Sequence, residues 1–157
     1  MLKYFGLSAI IVAIDLYTKR LIEQAFSHGE RLNVTNFFEL VRFHNEGAAF
    51  SFLADAGGWQ KWFFAAISVV AVVVISYLIV KNATQKNNSQ KLFCFGLALV
   101  LGGAIGNLYD RLTLGYVVDF LYFHMNDIYW PAFNVADSAI CVGVAALLWD
   151  SFKQEKT

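Results

Sequence analysis

The chain has 157 residues, a formal net charge of zero and 58% apolar residues, with a mean hydropathy of +0.52. The length fits one domain, and the hydropathy lies outside the range typical of soluble proteins. The balanced charge and the lack of a Lys/Arg-rich run argue against a nucleic-acid partner, because no patch of cations faces a polyanion. The composition therefore predicts a single-domain membrane protein.

Four apolar stretches are each close to the roughly 20 residues that an α-helix needs to cross about 30 Å of hydrocarbon. They cover about residues 2–24, 60–80, 92–113 and 134–152. Backbone groups in a bilayer must bond within their own segment, so we expect four transmembrane helices. Four charged residues between Asp15 and Glu23 interrupt the first stretch, which favours an uncleaved span over a cleavable signal peptide.

The connections between the spans predict the orientation. The connection at 81–91 carries three lysines, whereas the one at 114–133 has no Lys or Arg. Short cytoplasmic loops are enriched in these residues, so both termini are expected in the cytoplasm. The connection at 114–133 is also crowded with aromatic residues, which is typical of a loop at the lipid headgroups.

The connection of about 25–59 is too long and too apolar for a simple linker. Its segments at 32–35 and 38–43 alternate in part between apolar and polar residues, which is the period of a half-buried strand. Gly47 gives the following turn its backbone freedom. The predicted fold is an all-α polytopic membrane protein with four transmembrane helices and a small extracytoplasmic β-sheet subdomain on the membrane surface.

Polar residues gather at the outer ends of the third and fourth spans. Asn107, Asp110 and Arg111 share one helix face, and Asn134 and Asp137 repeat that spacing on the next span. Chain reversal brings the two faces to one membrane depth, with Asp119 on the connection between them. Charged groups near lipid are costly, so this cluster is a candidate functional site.

Two of these side chains, Asp119 and Asp137, suit hydrolysis. Carboxylates held close together retain one proton between them. The ionised member can take a proton from water while the protonated member donates to a peptide carbonyl. The serines on the spans lack an evident base, and Cys94 and Cys141 are predicted to be buried and unpaired. The three histidines show no metal-ligand spacing, so no metal site is expected.

Structural roles compete with functional ones at several positions. Asn134 can cap the fourth helix with Asp137 at the third helical position, and Asp110 and Arg111 can anchor a helix end. For Asp137, the capping role and a functional role are compatible.

Two further patterns have structural explanations. Asp15 and Lys19 lie one turn apart, which predicts an ion pair. The row Ala98, Gly102 and Gly106 is explained by close helix packing.

Five motifs in this order resemble the bacterial lipoprotein signal peptidases, also called type II signal peptidases, over nearly the whole chain. The motifs are Asp15-Leu-Tyr-Thr18-Lys19, Asn45-Glu-Gly47-Ala48, Gly102-Gly-Ala-Ile-Gly106-Asn107-Leu-Tyr-Asp110-Arg111, Val117-Val118-Asp119-Phe120 and Phe133-Asn134-Val-Ala136-Asp137-Ser138. Each motif alone is weak, but their order and the number of spans make the resemblance specific.

The resemblance implies an aspartyl endopeptidase of the bacterial inner membrane, with Asp119 and Asp137 as its catalytic pair. Its substrates would be prolipoproteins, cut before a diacylglyceryl-modified cysteine. Residues implied to orient the pair or bind substrate are Asn45, Gly47, Asn107, Asp110, Arg111 and Asn134, and those implied to support the site are Asp15 and Lys19. Neither metal nor cofactor is implied. Membrane lipids are the other expected partners, and the protein is expected to be a monomer.

Two other classes of membrane protein remain open from the residues alone. Intramembrane Asp and Asn often mark the path of a small proton- or ion-coupled carrier. Here the polar residues gather at one face instead of the midplane, and no inverted repeat is apparent. A structural or assembly subunit, with polar residues that only join helices, is the third class.

Overall fold

The computed structural model describes residues 1–47, 59–83, 88–126 and 128–154. These residues form four α-helices and four β-strands. In chain order the elements are α1 (Leu2–Ala25), β1 (Arg31–Thr35), β2 (Phe38–Asn45), α2 (Gln60–Asn82), α3 (Asn88–Thr113), β3 (Val117–Met125), β4 (Ile128–Tyr129) and α4 (Val135–Gln154). The four helices coincide with the four apolar stretches of the sequence.

Three helices in the described part of the chain are long and apolar enough to cross a membrane. They are Lys61–Asn82 in α2, Gln90–Thr113 in α3 and Val135–Lys153 in α4. The chain is thus a helical membrane protein with a small antiparallel sheet. The remaining helix, α1, carries two charged side chains that are almost completely buried in the protein, Asp15 and Lys19.

The helix α3 lies at the centre of the bundle and packs against α1, α2 and α4. Small residues permit this close packing. A Cβ added at Gly102 would lie 2.8 Å from the Cβ of Ile11 on α1. The hydroxyl of Ser8 on α1 donates to the carbonyl oxygen of Ala98 at 2.8 Å. The close packing predicted from the row of small residues is therefore confirmed.

The four strands form one antiparallel sheet in the order β1-β2-β3-β4. The two strands predicted before the second helix are confirmed as β1 and β2. The expected aromatic loop at 114–133 is wrong over Val117–Met125, which forms β3 and pairs with β2. Aromatic and β-branched residues favour strands as well as headgroup anchors, and the partner strand lies some 70 residues earlier in the chain.

Pairing of β2 with β3 extends the sheet beyond the predicted subdomain of about 25–59 and brings Asn45 opposite Val117. The strand β3 thereby places Asp119 beside the residues of β2. Parts of three predicted connections, residues 48–58, 84–87 and 127, lie outside the described residues.

Candidate active site

An open cavity of about 490 Å³ lies where the sheet meets the adjoining ends of α3 and α4. Its polar wall consists of Asn45, Asn107, Arg111, Asp119, Asp137 and Ser138. Its apolar wall comes from Val117, from residues 130–133 before α4, and from Ile140 and Cys141 on α4. The cavity thus brings together five of the ten predicted site residues, including both members of the carboxylate pair.

Asp119 enters the cavity wall from β3 and is only 3% exposed. Two side-chain amides hold its carboxylate. Asn134 donates its Nδ2 to Oδ1 at 2.8 Å, and Asn45 donates its Nδ2 to Oδ2 at 3.0 Å. Burial and the neighbouring carboxylate of Asp137 raise the pKa of Asp119 to about 7. The side chain therefore retains a proton under conditions in which an ordinary aspartate is ionised.

Asp137 stands in the first turn of α4, and its two oxygens have separate donors. Asn107 donates its Nδ2 to Oδ1 at 2.7 Å, and the backbone N–H of Asn134 donates to Oδ2 at 3.2 Å. In return, the backbone N–H of Asp137 donates to Oδ1 of Asn134 at 2.9 Å. This reciprocal pattern is a capping box, so the predicted helix cap is confirmed.

Asn134 contributes to both carboxylates. Its carbonyl oxygen Oδ1 caps α4, while its Nδ2 reaches Asp119. The side chain is completely buried, and its Nδ2 also donates to Oδ1 of Asn107 and to the carbonyl oxygen of Val118, each at 3.3 Å. The capping role and the orienting role therefore belong to one side chain and do not exclude each other.

A second cluster of charge, which we call the ion cluster, lies beside the cavity and consists of Asp15, Lys19 and Asp110. The Nζ of Lys19 lies 2.7 Å from Oδ2 of Asp15 and 3.0 Å from Oδ2 of Asp110. The ion pair predicted between Asp15 and Lys19 is confirmed. All three side chains are at least 96% buried.

The ion cluster holds the elements that carry the carboxylate pair. Asp15 accepts a hydrogen bond from the backbone N–H of Ala136 at 2.8 Å, and Asp110 accepts one from Val118 at 3.2 Å. Lys19 also donates to Oδ1 of Asn107 at 3.0 Å. Because that oxygen faces the ammonium, the Nδ2 of Asn107 is turned towards Asp137.

Arg111 and Gly47 join the end of α3 to the segment after β2. The guanidinium of Arg111 donates to the carbonyl oxygens of Gly47 and Asn107, each at 3.3 Å. The backbone N–H of Gly47 donates to Oδ1 of Asn45 at 3.0 Å. Gly47 is thus held by two residues that line the cavity, which links β2 to the end of α3.

Some cavity residues escaped the sequence analysis. Residues 130–132 and Ile140 form an apolar wall that lies outside the five motifs, and Phe133 belongs to a motif but was given no role. The prediction of a buried thiol is correct for Cys94 and wrong for Cys141, which is exposed and lines the cavity. Cys141 lies one turn after Asp137 on the same helix face, and that spacing was the available signal.

Most of this chain matches one known protein family. Residues 7–153 match the family described as signal peptidase (SPase) II. The chain belongs to the signal peptidase II family. The resemblance seen in the five sequence motifs is thereby confirmed.

Relatives with a curated name support the same family. A lipoprotein signal peptidase of Ralstonia nicotianae is 50% identical over 151 residues, which cover 96% of this chain and 84% of the relative. One from Paraburkholderia phytofirmans is 48% identical over 96% of this chain and 85% of the relative. A third, from a Janthinobacterium species, is 47% identical over 98% of this chain and 90% of the relative.

A solved structure, described as a bacterial membrane enzyme, has the same fold. It superposes with a TM-score of 0.86 at 28% identity and covers 99% of this chain and 90% of its own. A second structure with the same description has a TM-score of 0.79 at 28% identity, with 94% and 91% covered. The superposition over 99% of this chain includes the sheet as well as the helices.

Proposed function

We propose that this signal peptidase II family member is an aspartyl endopeptidase that removes signal peptides from prolipoproteins, with Asp119 and Asp137 as its catalytic pair. The bond cut is the one before the diacylglyceryl-modified cysteine. One observation carries the proposal. Two carboxylates from different elements share one cavity, and amide or backbone N–H donors hold each of them.

The geometry supports different roles for the two carboxyl groups, one as acid and one as base. Asp119 keeps the shared proton because burial and Asp137 raise its pKa to about 7. Asp137 acts as the ionised partner and takes a proton from the attacking water. The water oxygen bonds to the peptide carbon while Asp119 donates its proton to the carbonyl oxygen. The product of this step is a neutral tetrahedral diol.

Collapse of that intermediate completes the reaction. Asp137 passes its proton to the departing nitrogen, the carbon–nitrogen bond breaks, and Asp119 recovers a proton from the diol. The two carboxyl groups return to their starting states. The surrounding amides of Asn45, Asn107 and Asn134 keep both side chains in place through this cycle.

The position of the cavity fits a lipid-modified substrate. It lies at the ends of α3 and α4 and beneath the sheet, where a chain leaves the hydrocarbon. We infer that α1 is a fourth span, because its Asp15 and Lys19 face protein partners and not lipid. We propose that the four spans lie in the inner membrane, and an even number of spans puts both termini on one side. The three lysines of the 81–91 connection favour the cytoplasm for that side, which leaves the cavity at the extracytoplasmic face. The proposed form is a monomer.

Cleavage of matched substrates tests the proposal. The purified protein in detergent is incubated with a diacylglyceryl-modified prolipoprotein and with its unlipidated form, and the size shift is followed. We expect cleavage of the lipidated form only. Asp119→Asn or Asp137→Asn alone should lower kcat by at least about 10³-fold, since each removes one member of the acid–base pair.

Glu30→Gln is the matched control for these variants. It makes a similar carboxyl-to-amide change in the loop after α1, where the amide oxygen can still accept from the backbone N–H of Ser27. Full activity of either aspartate variant would overturn the assignment of the pair. A wild-type protein that cleaves neither substrate would leave the ion-coupled carrier as the better description.

A further inference from the structure

Arg42 on β2 joins the sheet to the C-terminal end of α1. Its Nη1 donates to the carbonyl oxygens of Glu23 at 3.2 Å and Phe26 at 2.9 Å. Its Nη2 lies 3.6 Å from the carboxylate of Glu23. The last carbonyls of a helix lack partners within the helix, and α1 has no basic residue in its own last turn. Arg42 therefore supplies the cation that α1 lacks.

Backbone hydrogen bonds strengthen this connection. The N–H of Gly29 donates to the carbonyl oxygen of Arg42 at 2.9 Å, and the N–H of Arg42 donates to Glu30 at 3.2 Å. The loop after α1 is thus bonded to both backbone groups of the residue whose side chain binds the helix end. Arg42 is the point at which α1, the loop and β2 are joined.

A second contact fixes β2 two residues later. The ring of His44 stacks on Tyr116 with centroids 3.8 Å apart and lies 4.1 Å from the ring of His28. Burial, with smaller effects of His28 and Arg42, lowers the pKa of His44 to about 4. The ring is neutral at physiological pH, as suits a stack between β2 and the residue before β3.

These contacts lie directly before Asn45, whose amide holds Asp119 at 3.0 Å. The pairing of β2 with β3 is irregular between Leu40 and Phe43, so the ladder is interrupted where Arg42 lies. An interruption of this kind bends a strand and re-aims the side chains that follow it. The direction of Asn45 therefore depends on what holds the bent segment.

We propose that Arg42 is a positioning residue of the active site, which binds the end of α1 and so keeps the amide of Asn45 on Asp119. The stacking of His44 on Tyr116 holds the same strand on the other side of Phe43. This inference rests on the proposed function of the carboxylate pair. It assigns a role in the reaction to a residue that touches neither the cavity nor the pair, because it fixes the strand that carries Asn45.

The test is a pH profile of kcat/KM for Arg42→Met, Asn45→Ala and the double variant, with the lipidated substrate. The hydrogen bond from Asn45 favours the ionised form of Asp119 and lowers its pKa. Its loss should move the alkaline limb of the profile upward by about one pH unit. Arg42→Met should produce this shift together with a fall of about tenfold in kcat, because it misplaces the same amide.

Non-additivity is the sharpest part of this test. If Arg42 acts through Asn45, the double variant should equal Asn45→Ala in both kcat and the position of the limb. Multiplied losses, or a fall in kcat without a shift of the limb, would show that Arg42 has only a structural role. Arg42→Lys, which keeps a donor near the carbonyls, should recover part of the activity and serves if Arg42→Met does not fold.

Arg31→Met is the matched control, since Arg31 lies on β1 and its guanidinium sits over Phe43 and Tyr122. We expect its alkaline limb at the wild-type position. The charged groups that act on Asp119 are unchanged in every variant; they are Asp137 on α4, Lys19 on α1 and Arg111 on α3. Asp110, which pairs with Lys19, is also unchanged. A wild-type protein without cleavage would count against the proposed function, whereas an unshifted limb in Arg42→Met counts against this inference alone.

Discussion

Two groups of carboxylates lie side by side in this protein, and they differ in which donors surround the charges. In the ion cluster, the ammonium of Lys19 lies within 3.0 Å of both Asp15 and Asp110. In the carboxylate pair, amides surround Asp119 and Asp137, and no ion pair within 4.0 Å reaches either one among the described residues. A paired cation favours ionised carboxylates, whereas uncharged donors leave two like charges to share a proton.

The difference separates a structural centre from a reactive one. The ion cluster fixes the N-terminus of α4 and the start of β3 through Ala136 and Val118. The carboxylate pair opens to the cavity and keeps a proton that a reaction can use. Asn107 connects the two, since it accepts from Lys19 and donates to Asp137. The first group holds the geometry in which the second can act.

Lys19→Met should have the largest effect on stability. It leaves two buried carboxylates without their cation, which typically costs about 3–5 kcal/mol of stability. Asp119→Asn should leave thermal stability at or above that of the wild type, because the amide has no charge to bury. Thermal unfolding in one detergent measures both variants. Equal stability of the two variants would mean that the two groups of carboxylates do not differ as described.

Gly106→Ala perturbs the ion cluster without removing a charge. Its new Cβ would lie 2.5 Å from Oδ2 of Asp15, so the carboxylate that pairs with Lys19 must move. We expect a loss of about 1–3 kcal/mol, as is usual for overpacking. Gly6→Ala in α1 is the control, because nothing lies within 4 Å of its added Cβ. That variant should be neutral or slightly stabilising, and the contrast is read from the two melting temperatures.

The pH dependence of the carboxylate pair gives a third prediction. Since the pKa of Asp119 is about 7, kcat/KM should fall about tenfold per pH unit above that value as the shared proton is lost. The folded state also binds this proton more tightly than the unfolded chain, so the contribution of Asp119 to stability decreases as pH rises from about 4 to 7. Asp119→Asn should lack that slope. Activity that stays flat to pH 9 would contradict proton sharing.

Asn134 offers the most selective change, because one side chain both caps α4 and contacts Asp119. Asn134→Ser keeps a good helix cap but loses the buried amide that donates to Asp119, Asn107 and Val118, so stability should fall by about 1–3 kcal/mol. Asn134→Ala loses the cap as well and should cost about 1 kcal/mol more than the serine variant. Both variants should lose similar amounts of activity, measured as kcat on the lipidated substrate. A serine variant with wild-type activity would show that the amide contact is dispensable.

Local patterns predicted a large part of this architecture. Apolar length located all four helices, and the Asn134–Asp137 spacing identified the capping box. The i, i+4 spacing of Asp15 and Lys19 predicted their ion pair. In the capping box and in the ion pair, the two residues lie within four positions of each other, where the geometry of one helix determines which side chains meet.

Contacts between distant segments explain the misses. The strand β3 was missed because its hydrogen-bonding partner, β2, precedes it by two helices. The position of Cys141 was missed because it lines a cavity formed jointly by β2, α3, β3, α4 and residues 130–133. An aromatic-rich segment is compatible with a strand or a headgroup loop, and only its pairing partner distinguishes them.

The sequence by itself determined the membrane character, the helices and the identities of the polar residues at the site, because hydropathy and helical spacing are properties of neighbouring residues. The tertiary structure decided how those residues divide into two groups. Lys19 lies between Asp15 and Asp110, while Asn45 and Asn134 converge on Asp119 from two other elements. Whether a buried carboxylate meets a cation or an amide depends on the packing of elements far apart in the chain. The same packing buries Asp119 beside Asp137, and that raises its pKa to about 7.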